Sequence, residues 1–194
     1  MSQQKIMVRT NQTLLEYAGM LYNKQSRKED IIVKNFANGQ VLLRQNMPAA
    51  KVIIVKEGIT KCYLTESNDK TYIIEFLGKG EVIGELECIR NIPCLCSVEA
   101  VTDVFVYAFS VSYFQYLLQT DLQLNHYLLD SFAGRIINTS IRSSFQQLYT
   151  VEHSLKKLLE LQSKHGLTLS KEEMASYLGI TVRTLNRGIR NLSV

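Results

Sequence analysis

Proline is scarce in this chain of 194 residues, at 2, and its 10 glycines follow no period. A collagen-like or low-complexity chain needs far more of both. No apolar run approaches the roughly 20 residues needed to cross a bilayer. The opening MSQQKIMVRTNQT also lacks the apolar block of a secretory signal. The expected compartment is the cytoplasm, with no membrane partner. The 4 cysteines, Cys62, Cys88, Cys94 and Cys96, include no C-x-x-C pair, and His126, His153 and His165 lie far along the chain. No metal site is therefore expected. Reduced thiols serving as small buried hydrophobes in strands are the plainer reading of the cysteines. Catalytic patterns are missing too: the sequence has no Ser/His/Asp arrangement, no phosphate-cradling glycine loop of the nucleotide-hydrolase type, and no close acid pair in a cleft. Glu85 and Glu87 read as a solvated pair at a sheet edge. No enzyme and no cofactor are expected.

What is present is an ordinary globular composition, 46% hydrophobic and 21% charged, enough for one large domain or two small ones. The charge is unevenly spread. Residues 1–134 carry 13 Lys+Arg against 14 Asp+Glu, whereas residues 135–194 carry 9 against 4. A near-neutral body with a basic end suits a C-terminal module that faces a polyanion, or a solvated helical surface.

Residues 11–22 have apolar positions at helical spacing, with Asn11 or Thr13 as the N-cap. From Ile31 to Phe109 the chain changes to short runs of Val, Ile, Tyr and Phe between turn signals, the pattern of an antiparallel sandwich or barrel. Lys61 to Glu75 is the clearest hairpin, around the turn SNDK. Helical spacing then takes over. Val111–Gln119 predicts a short helix and Asp121–Leu148 a long one, with Leu122, Leu129 and Ile136 seven apart and Phe132, Ile137 and Ile141 beside them. A helix of that length has more apolar surface than so small a monomer can cover, so these six residues are the expected dimerisation face. Val151–Lys164 adds an amphipathic helix closed by His165-Gly166.

The sharpest local signal is LTLSKEEMASYLGITVRTLNRGIRNL. Ser170 and Glu173 form a capping box that starts a helix, Gly179 permits the left-handed turn that ends it, and Thr181 caps a second helix. Ala175 lets the two backbones approach, and Leu185, Ile189 and Leu192 should face inward. This is a helix-turn-helix pattern. It would present Val182, Arg183, Asn186, Arg187 and Arg190 to a DNA major groove, with Arg183 and Arg187 as candidate guanine readers. Thr181, Thr184 and Arg190 are better placed for phosphates.

A β-roll, a long helix and then a helix-turn-helix resemble the CRP/FNR (catabolite activator and fumarate-nitrate regulator) family of bacterial transcription regulators. The resemblance is carried by VIIVKEGITKCYLT, DKTYIIEFLGKGEVIGELECI, CSVEAVTDVFVYAFSVSYFQYLL and the C-terminal motif, nearly the whole chain. It implies an α+β fold: a cyclic-nucleotide-binding-like sensor roll over residues 1–120, a dimerisation helix over 121–148, and a helix-turn-helix domain over 149–194. It also implies a homodimer, double-stranded DNA and RNA polymerase as partners, and a small-molecule effector. The effector pocket is expected around Gly84, Glu85, Leu86, Cys96 and Ser97, with Gly84-Glu85 matching the family's Gly-Glu pair against the cyclic phosphate and ribose.

Three departures alter those expectations. Where cyclic-nucleotide binders have Arg-Ser, this chain has Cys96-Ser97, so the guanidinium that pairs the phosphate is lost, and Arg90 lies too early to replace it. Glu87 adds a further negative charge. Cyclic nucleotides are therefore not the expected effector. Cys88, Cys94 and Cys96 are instead a possible redox group, with Cys94 and Cys96 on one face if that segment is extended. Second, Val182-Arg183 follows the cap where TGTGA readers of the family carry Arg-Glu, so a different operator is expected. Third, the sequence stops at Val194 where the family continues into a two-stranded wing. Either the protein has no wing or the sequence is incomplete; on both readings the helix-turn-helix lacks a complete wing. The alternative reading, a ligand-sensing or protein-interaction module with a C-terminal domain that does not bind DNA, rests on that departure.

Overall fold

The computed structural model describes residues 8–192, apart from the side chain of Phe145. A short strand β1 (Val8–Arg9) leads into α1 (Gln12–Lys24), whose N-cap Asn11 accepts a hydrogen bond from the Leu14 amide. The β region follows: β2 (Ile31–Phe36), β3 (Val41–Leu43), β4 (Lys51–Glu57), β5 (Thr60–Thr65), β6 (Thr71–Leu77), β7 (Val82–Ile83), a short helix α2 (Glu85–Arg90), β8 (Ser97–Ala100) and β9 (Val104–Ser110). Helices complete the chain as α3 (Val111–Thr120), α4 (Leu122–Leu148), α5 (Val151–His165), α6 (Lys171–Leu178) and α7 (Val182–Leu192). The strands form two sheets, ordered β1-β6-β5-β8-β3 and β2-β9-β4-β7. All pairings are antiparallel except β1 with β6.

The two sheets face each other across a core that includes Ile53, Val55, Leu77, Val98, Val104 and Val106. The opposite face of the four-stranded sheet is covered by α1, α3 and the first turns of α4, through Leu14, Val52, Ile54, Phe109, Phe114, Leu124 and Leu128. Burial on both faces explains why β4 reads VIIV rather than alternating apolar and polar residues.

The outer face of the five-stranded sheet is also covered, which the sequence pattern did not foretell. Ile73 and Phe76 of β6 and Val8 of β1 join Leu155, Leu158, Leu161, Tyr177 and Leu185 of the C-terminal helices in one core. A bulge in the β5–β6 ladder makes this possible: Cys62 pairs Glu75 and Tyr63 pairs Ile73, so Ile74 is extra. Ile73 and Phe76, an odd number of residues apart, therefore both reach the outer side. Each fully buried leucine in that core contributes about 1.5–3 kcal/mol relative to exposure.

The turn before β7 depends on Gly80, at φ +81, where an added Cβ would lie 1.7 Å from the Asn11 carbonyl oxygen. Both the left-handed conformation and the clash oppose any side chain. Gly80→Ala is expected to lower the unfolding free energy by about 3 kcal/mol or more. Urea denaturation checks this, and a loss below about 1 kcal/mol would contradict the placement.

Candidate effector pocket and nucleic-acid interface

The chain leaves β7 at Ile83, turns through Gly84 (φ 86), and enters α2 with Glu85 and Glu87 in its first turn. Both carboxylates are buried. The expectation of a solvated pair at a sheet edge is thus overturned, because the α2 turn folds them inward. Glu87 accepts a hydrogen bond from the Leu95 amide at 3.0 Å and so anchors the loop before β8. Glu85 meets a residue that sequence reasoning missed as a site residue: Arg135 of α4 donates to the Glu85 carboxylate and to the Val82 carbonyl.

This pair belongs to a longer ionic chain. Arg135 also lies 3.5 Å from Glu81, which lies 3.1 Å from Arg9, which lies 3.1 Å from Glu75. Three carboxylates share two guanidiniums. Burial pushes the Glu85 carboxyl up to about 7, with the Arg135 charge opposing the shift incompletely. Burial raises Glu81 as well, against Arg9 and Arg135. Glu85 thus holds its proton more tightly folded than unfolded. Its contribution to stability is greatest below about 4.5 and is lost as the pH rises to about 7.

Around this network lies a cavity of about 590 Å³, walled largely by apolar side chains that include Leu43, Leu64, Ile74, Ile83 and Val98. Gly84, Glu85, Leu86 and Cys96 line it. Ser97 stands apart, its buried hydroxyl accepting from the Gln45 amide at 3.0 Å. Arg90 is exposed at the end of α2. Ile136, Thr139 and Ser140 of α4 join Arg135 over the cavity. Cys88 packs apart from the others, beneath α1 and α3, whereas Cys94, Cys62 and Cys96 join the core between the sheets, where Cys96 meets Cys62. Among the described residues, no group of three or more His, Cys, Asp or Glu is placed to hold a metal ion. No helix among them is long and apolar enough to cross a membrane.

At the C-terminal end, the Ser170–Glu173 capping box is formed and Gly179 takes the left-handed conformation at φ 67. The Thr184 amide donates to the Thr181 hydroxyl at 3.1 Å, so Thr181 caps α7. Arg183, Arg187 and Arg190 are exposed, and Asn186 is half-buried beside Arg183 and Arg190 in a shallow concave surface. Two expectations change. Val182 packs partly against the core instead of facing out, and Leu192 is exposed instead of inward. Gly188 takes the inner position, because an added Cβ would meet Leu155 at 3.3 Å.

The helix pair α6–α7 and the cavity are joined through α4 and β6. Ser176 of α6 donates to the Thr71 carbonyl at 2.7 Å and accepts from the Ile73 amide at 3.1 Å. Arg142 of α4 donates to the carbonyls of Ile73 and Tyr177, each at 2.8 Å, and stacks 4.1 Å from the Tyr177 ring. Lys61 of β5 bridges Glu99 and Glu173 at 2.8 and 2.5 Å. Burial alone would raise Glu173, but its hydrogen bonds with Lys61 and the Ser170 backbone outweigh that and hold it below the usual carboxylate range. The one signal available in the sequence was the spacing of Arg135 and Arg142, seven residues apart on one helical stripe.

Arg135→Met leaves Glu85 and Glu81 without their shared cation. The expected destabilisation is about 3–5 kcal/mol at pH 8, where the carboxylates must ionise or retain protons against solvent. It should be smaller at pH 5, where Glu85 is already protonated. Equal losses in urea denaturation at both pH values would contradict the ionic role of Arg135.

Residues 33–121 match the family model of the cyclic nucleotide-binding domain. The chain is 25% identical over 117 residues to the type II regulatory subunit of cAMP-dependent protein kinase from Drosophila melanogaster, a match covering 60% of this chain and 31% of that protein. Among solved structures, it is similar to the c-di-GMP responsive global regulator CLP of Xanthomonas campestris, with a TM-score of 0.74 and 19% identity over 84% of this chain and 87% of that one. A transcriptional regulator of the CRP/FNR family from Eubacterium rectale gives 0.75 and 17% over 89% and 86%. FixK2 of Bradyrhizobium japonicum gives 0.69 and 22% over 84% of each chain. Residues 33–121 are therefore similar to cyclic nucleotide-binding domains, and the chain has the fold of the CRP/FNR transcription regulators.

Proposed function

We propose that this protein is a homodimeric, sequence-specific DNA-binding transcription regulator, and that its cavity takes an effector other than a cyclic nucleotide. The observation that carries the DNA reading is the helix pair α6–α7. It is capped and turned as a helix-turn-helix, with Arg183, Arg187 and Arg190 left exposed on the second helix. Arg183 and Arg187 suit guanine edges, with Asn186 between them, while Thr181, Thr184 and Arg190 suit phosphates. The regulator role of its structural neighbours supports the same reading.

The dimer reading rests on α4. Leu122, Leu129 and Ile136 recur every seventh residue and are 85%, 67% and 68% exposed, with Ile137 and Ile141 flanking them. Such a stripe suits a copy of the same helix. Phe132 belongs to the other side of α4, packed against the core beneath α1 and α3.

The effector reading follows from charge. A cyclic phosphate needs a cation that the site can spare, and Arg135 is committed to Glu85 and Glu81. A mainly apolar molecule carrying no phosphate fits the cavity walls better. Its binding would bear on Ile74 of β6 and on α4, and both elements hold the helix-turn-helix by their neighbouring residues. The expected regulatory step is a shift of α6–α7 relative to half-sites about 34 Å apart.

Selection of bound sequences from a random duplex pool by the purified chain tests this proposal. A palindrome with half-sites about one helical turn apart is expected. Only salt-sensitive, unselective binding would overturn the proposal in favour of a module that senses ligands or binds proteins. Arg183→Ala and Arg187→Ala should each weaken specific binding about 10- to 100-fold in fluorescence anisotropy while leaving the dimer intact. Leu129→Asp with Ile136→Asp should instead convert the dimer to monomer in sedimentation, and loss of dimerisation in the arginine variants would contradict this division of roles. Saturating cyclic AMP or cyclic GMP should leave Tm unchanged; a concentration-dependent rise would contradict the effector reading.

A further inference from the structure

The cavity wall holds a pair of thiols that none of the ionic or apolar contacts above employs. Cys62 on β5 and Cys96, immediately before β8, have their Sγ atoms 2.7 Å apart. The sheet register explains the approach: Cys62 is paired with Val98, and Cys96 lies two positions before Val98 on the same strand path. Diagonal neighbours on one face of an antiparallel pair come within reach of each other's side chains, and Cys96 lies just outside the ladder, where the chain can bend toward β5. Both thiols line the cavity, beside Glu75 and Arg135. Cys62 is buried, whereas Cys96 is partly exposed beside Leu95, whose side chain stands at the surface. One sulfur is thus reachable from solvent and the other is held directly behind it, an arrangement that neither Cys88 nor Cys94 shares.

We infer that Cys62 and Cys96 form a reversible dithiol–disulfide site in the wall of the cavity, oxidised by a low-molecular-weight disulfide of the glutathione type. The Cys96 thiolate attacks one sulfur of the small disulfide, forms a mixed disulfide and expels the first small thiolate. Cys62 then loses its proton to solvent and attacks the Cys96 sulfur, and the second small thiolate leaves. One protein S–S bond forms and one small-molecule S–S bond breaks. Two protein thiols are oxidised as one disulfide is reduced to two thiols, which take up the two protons released. Cys62 lies buried behind the more accessible Cys96, and the contact with Cys96 together with burial pushes its thiol up, so Cys62 waits as the thiol and acts second.

The crosslink would tie β5 to the segment that Glu87 anchors at Leu95, and so fix the wall of the cavity on that side. That regulatory consequence rests on the cavity being the effector site; the crosslink itself does not, and it can be tested without DNA or effector.

The test treats the folded full chain with oxidised glutathione, blocks remaining thiols with iodoacetamide, and maps the products by peptide mass spectrometry. A Cys62–Cys96 crosslinked peptide is expected, in a chain lighter by two hydrogens and restored by dithiothreitol. Cys96→Ser should abolish it without changing Tm. Cys62→Ser, if folded, should halt at a glutathione adduct on Cys96. A wild-type product holding only a stable adduct on Cys96, or links to Cys88, Cys94 or a second chain, would overturn the inference. If the crosslink forms and the duplex selection yields no palindrome, the redox site stands and the regulator reading falls.

Discussion

The Arg135 guanidinium, half-buried between Glu85, Glu81 and the Val82 carbonyl, makes the interaction on which the rest of the arrangement depends. Without a cation there, Glu85 in the first turn of α2 would be a buried carboxylate with no charged partner, and the cavity would lose its ionic tie to α4. A buried ion pair is weak evidence of stability, because desolvation offsets much of the attraction. Its importance here is geometric. It fixes which turn of α4 lies over the cavity, and hence which turn lies over β6.

Two turns along the same stripe, Arg142 completes the connection. It holds the Ile73 and Tyr177 carbonyls together, one from the roll and one from α6. Strand β6 is a shared wall, with Ile74 on the cavity side and Ile73 and Phe76 in the core with the C-terminal helices. A change in the cavity therefore need not travel through a long chain of contacts. One strand and one helix each touch both the cavity and α6, a short physical route by which the proposed coupling would act.

Much of the architecture was legible in sequence because it depends on local chemistry. The Asn11 cap, the SNDK hairpin, the Ser170–Glu173 box and the left-handed Gly179 are short-range features whose residue types leave few alternatives. The exposed heptad stripe of α4 was legible for the same reason. What escaped depends on distant partners. The fate of Glu85 was set by Arg135, fifty residues away, and that of Cys96 by Cys62, thirty-four away. The packing of α6 on β6 required a bulge at Ile74 that no periodicity announces. Val182 and Leu192 were misassigned because Gly188, an unremarkable residue in sequence, joins Leu185 on the inner face of α7.

The proposed coupling of the cavity to the helix pair α6–α7 runs through α4 and β6. Amide hydrogen exchange on the wild-type chain and on Glu85→Gln, which keeps the side-chain shape but removes the charge facing Arg135, tests it most directly. Coupling predicts faster exchange at the Ile73 amide and along α6, beyond any change in α2 and α4. Exchange altered only in α2 and α4, with Ile73 and α6 as protected as in the wild type, would contradict it.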